Sequence, residues 1–107
     1  MSFFTQTVED ISVEEFKSMM NEDNTVILDV RTEDEVKEGI IDGAMHINLF
    51  DSDFRDQLEE LDKSKTYLVY CRSGNRSGKA CEVMNNMGFD NAYNLEGGIL
   101  AWNKVQQ

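Results

Sequence analysis

Proline is absent from this 107-residue chain, cysteine occurs twice, and histidine and tryptophan occur once each. Two cysteines ten residues apart cannot staple a small secreted fold, so a reduced, cytoplasmic compartment is the default expectation. The lone His46 supports no metal site. Basic residues are also scarce: 10 Lys and Arg stand against 21 Asp and Glu, giving a formal net charge of −11. That balance argues against nucleic acid or an anionic membrane surface as partner, since both need a cationic face. Apolar runs stop at four or five residues, too short for a transmembrane helix. The start, Met1-Ser2-Phe3-Phe4, has neither a basic region nor a long apolar one, so no signal peptide is expected. No internal repeat or low-complexity linker interrupts the chain, and its length predicts one domain over residues 1–107.

What is present is a regular alternation of strand and helix patterns. Hydrophobic residues at 40% and charged residues at 29% fit a folded globular chain. Phe3 to Thr7 reads as a short edge strand. Ser12-Val13-Glu14-Glu15 forms a capping box, and Val13, Phe16, Met19 and Met20 follow at helical spacing. Thr25 to Val30 is a continuous apolar run, the pattern of a strand covered on both faces. A second capping box, Thr32 to Glu35, opens a short helix that Gly39 closes. Ala44 to Leu49 is expected as a strand, and Asp51 to Leu61 carries Phe54, Leu58 and Leu61 at helical spacing. Thr66 to Tyr70 is the best strand in the chain, rich in β-branched and aromatic residues. A helix with Ala80, Val83, Met84 and Met87 on one stripe, a strand over Asn91 to Leu95, and a terminal helix after Gly97-Gly98 complete the pattern. Such alternation implies βαβ units, hence an α/β domain with a mainly parallel sheet and helices on both faces.

Function in such sheets sits outside the carboxyl ends of the strands. Cys71 stands there, between the strongest strand and the next helix, in Cys71-Arg72-Ser73-Gly74-Asn75-Arg76-Ser77-Gly78. A polar loop with two glycines can turn its backbone N–H groups toward one point, making an anion nest reinforced by the helix dipole. The same arrangement stabilises a thiolate and lowers the thiol pKa. Charge agrees: from Lys63 to Cys81 there are five basic residues and no acidic one, half of all the positive charge. A local basic well for a small anion fits that cluster.

These residues resemble the active-site loop of rhodanese-type sulfurtransferases. Leu28-Asp29-Val30-Arg31 is similar to that family's strand motif, Glu35 through Asn48 to its second motif, and Gly97-Gly98-Ile99-Leu100-Ala101-Trp102 to its C-terminal signature. In the second motif Ile40 and Asp42 stand where the family often has His and Pro. The resemblance spans residues 28 to 102 and implies a five-stranded, mainly parallel sheet flanked by helices. It also favours sulfur over phosphate. Sulfurtransferases resemble this chain in having six residues from Cys71 to Arg76, whereas the related phosphatases and arsenate reductases place Arg where this chain has Ser77.

The resemblance implies ping-pong persulfide transfer with Cys71 as nucleophile. A sulfane sulfur passes from thiosulfate or a persulfide donor to cyanide, a thiol or a protein acceptor, with no metal or organic cofactor. Arg72, Ser73, Gly74, Asn75, Arg76 and Ser77 are the expected donor-binding residues, the two arginines drawing in an anionic donor. Asp29 and Arg31 are expected to support the neighbouring loops. A rival reading is a non-catalytic interaction or regulatory module of the same fold, although modules of that kind usually lack the cysteine. Cys81 is expected to be a small packed residue, the alternative being a resolving thiol for Cys71. Trp102 is expected to anchor the terminal helix, and the chain to be a monomer.

Overall fold

The computed structural model describes residues 8–106. Ten elements alternate in chain order: β1 (Glu9–Ile11), α1 (Val13–Met19), β2 (Thr25–Asp29), α2 (Glu33–Lys37), β3 (Met45–His46), α3 (Phe54–Glu59), β4 (Thr66–Tyr70), α4 (Asn75–Asn86), β5 (Asn91–Leu95) and α5 (Gly98–Gln106). The five strands form one sheet in the order β1-β5-β4-β2-β3, and every pairing is parallel.

Local chemistry accounts for where the helices begin. Ser12 and Thr32 each accept the N–H of the residue three further on, while Glu15 and Glu35 reach back, so both capping boxes are complete. β4 lies at the centre, and its alternation splits the core in two. Tyr67 and Val69 pack with Leu58, Ala80 and Met84 on one face. Leu68 and Tyr70 pack with Phe16, Leu95 and Ile99 on the other. On that second face Trp102 meets Phe16 edge-on at 5.5 Å between ring centroids, joining α5 to α1 as expected.

Two elements differ from the sequence expectation. The regular ladder expected over residues 44–49 is confined to Met45 and His46. Ile47 and Leu49 still donate to the carbonyls of Asp29 and Val30, but the chain then turns, with Asn48 Oδ1 accepting the Phe50 N–H at 2.9 Å. An asparagine side chain that closes its own local turn in this way ends the strand. The helix expected over residues 51–61 is shortened to Phe54–Glu59. The edge strand expected at residues 3–7 lies outside the described residues; the first described strand is β1.

The strand order places the functional end of the sheet. From β2 the chain moves outward through α2 to β3, while from β4 it moves the opposite way through α4 to β5. The switch point therefore lies between the carboxyl ends of β2 and β4. Asp29 closes one of those ends, and Cys71 follows directly on the other.

Candidate active site

Cys71 leaves β4 with its side chain almost wholly buried. Three residues later Gly74 caps α4 in a left-handed conformation (φ +102°), with no side chain capping the helix. The sulfur takes that place: Sγ accepts the Gly74 N–H at 3.1 Å and the Ser77 hydroxyl at 3.3 Å. Burial by itself pushes the thiol up. The Ser77 hydroxyl and the backbone N–H groups of Ser77, Gly74 and Ser73 outweigh it, and the net shift is downward. Ser77, at the position where the related phosphatases place arginine, is thus a hydroxyl donor to the sulfur.

Ser77 belongs to a longer chain of hydrogen bonds. Its hydroxyl also lies 2.5 Å from Asn94 Oδ1 on β5. Asn94 Nδ2 donates to Asp10 Oδ1 at 2.9 Å and to the Gly74 carbonyl at 3.1 Å, which fixes the amide so that Oδ1 faces the serine. One hydroxyl proton therefore has two acceptors. With a neutral thiol, Cys71 S–H donates to Ser77 Oγ and the serine donates to Asn94. With a thiolate the serine proton turns to sulfur. A Ser77→Ala variant removes the thiolate's hydroxyl donor, so the pH profile of iodoacetamide alkylation at Cys71 is expected to shift to higher pH. The neutral-pH rate should drop roughly threefold to tenfold.

The arginines are held differently from one another. Arg72 is exposed, and no ion pair engages its side chain among the described residues. Arg76 makes a two-pronged bond to Glu35 on α2, Nη1 to Oε1 at 2.7 Å and Nη2 to Oε2 at 2.8 Å. Its guanidinium also lies 5.9 Å from the Phe50 ring centroid. The Arg76 hydrogen bond, aided by Thr32, holds the Glu35 carboxyl at about 2, against an ordinary 4.5. A folded-state value below the unfolded one means the pair stabilises fully above about pH 4.5. That stabilisation disappears as pH falls toward 2. The thermal midpoint is accordingly expected to fall more steeply across this window in the wild type than in Glu35→Gln, measured by circular dichroism.

Ser73 and Asn75 are exposed on the loop. Asp29 and Arg31 form a buried ion pair at 2.7 Å, and Arg31 Nη2 also donates to the Gly39 carbonyl at 2.6 Å. The Tyr70 hydroxyl accepts the Ile41 N–H at 3.0 Å, and His46 Nε2 donates to the Arg31 carbonyl at 2.7 Å. These bonds tie the chain after α2 to the sheet, and neither Asp29 nor Arg31 is hydrogen-bonded to Cys71. A cleft of about 440 Å³ opens beside the loop, lined among others by Arg31, Glu35, Ile40, Arg72, Leu100 and Trp102. Cys81 is wholly buried on α4, and burial pushes its thiol up to about 12, the signature of an inert packed cysteine.

Three features of the site are not legible from local sequence. The first is Glu35, expected as a helix cap and as the start of the second motif but not as a partner of Arg76. The second is the pair Asn94 and Asp10, of which Asn94 falls in an expected strand while Asp10 lies outside the edge strand expected over residues 3–7. The third is the approach of α5: Ile99 N donates to the Cys71 carbonyl at 2.9 Å and Leu100 N to that of Arg72 at 3.2 Å. A repeated glycine, Gly97-Gly98, was the available signal for that close approach.

The fold and site together define a doubly wound α/β domain with a cysteine thiol cradled at a helix N-terminus. The rhodanese-like domain model matches residues 12–105, and the chain belongs to that family. It is 38% identical to YtwF of Bacillus subtilis over 89% of this chain and 90% of that protein. It is 34% identical to a sulfurtransferase of Allochromatium vinosum, over 75% of this chain and 73% of that one. A rhodanese-related protein from Thermoplasma volcanium has the same fold, with a TM-score of 0.80, 30% identity and coverage of 91% and 92%. The family also supplies parts of larger proteins: the chain matches 29% of the length of the tRNA uridine(34) hydroxylase of Cytophaga hutchinsonii, at 37% identity. Among the described residues no helix is long and apolar enough to cross a membrane.

Proposed function

We propose that this protein is a sulfurtransferase that carries sulfane sulfur on Cys71. The supporting observation is the placement of Sγ at the head of α4, hydrogen-bonded to the Gly74 N–H and the Ser77 hydroxyl. In the first step the Cys71 thiolate attacks the outer sulfur of a donor such as thiosulfate. The S–S bond of the donor breaks, sulfite leaves with the bonding pair, and Cys71 becomes an anionic persulfide. In the second step cyanide or a thiolate attacks the outer sulfur and returns Cys71 as thiolate. The donors aimed at Sγ stabilise the attacking thiolate in the first step and the thiolate that leaves the outer sulfur in the second. Arg72, exposed at the loop's edge, orients the donor by charge-assisted hydrogen bonding. The acidic chain as a whole favours small donors and acceptors, or a protein acceptor, over nucleic acid, and a cytoplasmic setting keeps the thiol reduced.

The test is intact mass after incubation with thiosulfate, with Cys71→Ser alongside. A gain of one sulfur atom on the wild type alone, reversed by cyanide or a thiol, is the expected result. If the free, reduced thiol takes up no sulfur from thiosulfate or from a persulfide, the reading fails.

A further inference from the structure

We infer that Glu35 is a specificity-determining residue which, by pairing with Arg76, directs the site toward sulfur donors carrying no more than one negative charge. The inference rests on the sulfurtransferase reading and names the donor class within it. Around the mouth three arginines, Arg31, Arg72 and Arg76, are matched by three carboxylates, Asp29, Glu35 and Glu38. The Arg31–Asp29 pair is buried. The Arg76–Glu35 pair is shielded too, its side chains only 23% and 22% exposed. Glu38 faces the same cleft as Arg72.

Glu35 does not yield Arg76 readily to an incoming anion. Its Oε1 also accepts the Thr32 hydroxyl at 3.0 Å and the Thr32 N–H at 3.3 Å, so moving it would uncap α2. The Arg76 charge is close enough to interact with Cys71, and cancelling it therefore changes the field where donor sulfur must arrive. A dianion such as thiosulfate meets a mouth with no net positive charge on a chain of net charge −11. A monoanionic or neutral donor gives up much less by that cancellation.

Methanethiosulfonate ion and thiosulfate make a suitable pair, because both deliver one sulfur and differ by one charge. With the former, the Cys71 thiolate takes the outer sulfur, the S–S bond breaks, and methanesulfinate leaves with the bonding pair. Glu35→Gln keeps an oxygen for the capping box and removes the negative charge. At low salt kcat/KM for thiosulfate is expected to rise about fivefold and that for methanethiosulfonate about twofold. Both gains should shrink as ionic strength rises. Arg76→Leu, which leaves the carboxylate unmatched, should move the ratio the opposite way. Structural damage would lower both donors together, without salt dependence.

A second arm reads the same field without sulfur transfer. The rate of Cys71 alkylation by iodoacetate relative to iodoacetamide, mapped by peptide mass, is expected to rise about twofold in Glu35→Gln and fall in Arg76→Leu. If the wild type transfers no sulfur while the two variants show these shifts, the enzymatic reading is refuted and the charge assignment stands. Ratios unchanged in both variants, for donors and alkylating agents alike, would overturn the inference.

Discussion

A Cys71→Ser variant is expected to lose sulfur transfer by roughly a thousandfold or more while keeping its fold and thermal midpoint close to those of the wild type. The substitution is nearly isosteric in a buried position, and a serine oxygen can still accept the Gly74 N–H that the sulfur accepts. Packing therefore changes little. The chemistry is lost for an electronic reason. Hydrogen bonds that bring a thiol toward its thiolate form cannot bring an alcohol to an alkoxide, whose formation lies far outside the neutral range. An oxygen nucleophile would also have no route to a persulfide. Cys81 offers no substitute, since its thiol is buried and held protonated at neutral pH. Steady-state transfer to cyanide, with thiosulfate or a persulfide as donor, measures the loss. Residual turnover near that of the wild type would place the nucleophile elsewhere.

The second large effect falls on a residue with no side chain. Gly98→Ala is expected to destabilise the protein by about 3 kcal/mol and lower Tm by roughly 10–20 °C. Gly98 adopts φ +60°, and a Cβ built there would lie 2.4 Å from the Arg72 carbonyl oxygen and 2.6 Å from that of Cys71. Both obstacles are backbone atoms of the Cys71 loop, with no flexible side chain to swing aside. Relief requires α5 to withdraw from the loop, and the bonds from Ile99 N to Cys71 O and Leu100 N to Arg72 O go with it. Sulfur transfer is then expected to fall by about tenfold even at temperatures where the variant is folded, because the cradle around Sγ is no longer fixed. Gly88→Ala is the control: its φ is also positive at +93°, but nothing lies within 4 Å of the added carbon. It should cost about 1 kcal/mol and leave transfer unaffected. Equal losses in the two variants, by thermal melts and cyanide-acceptor kinetics, would show that the contact with the loop has no special weight.

The parts of the structure legible in the sequence are those governed by neighbours within a few residues. Ser12 with Glu15, and Thr32 with Glu35, satisfy helix donors three positions apart, so the starts of α1 and α2 could be read directly. β4 and β5 fall on the residues expected for them, Thr66–Tyr70 and Asn91–Leu95. The strand at residues 44–49 was overextended because its length depends on how far the end of β2 continues beside it, and an Asn48 turn intervenes.

The sequence by itself determined the alternating α/β order, the exit of Cys71 from the central strand, and its place at the head of a helix. Each follows from periodicity, caps and punctuation along a short stretch of chain. Tertiary structure decided what surrounds the sulfur and how its field is set. Arg76 meets a carboxylate 41 residues away, and Asn94 joins Gly74 on the loop to Asp10, 84 residues distant from it on another strand. Gly98 approaches the loop from a helix that begins after the last strand. Such pairings arise only when the parallel sheet brings β1, β5, β4 and β2 side by side, since a local pattern fixes which face a residue occupies but not which distant group shares it.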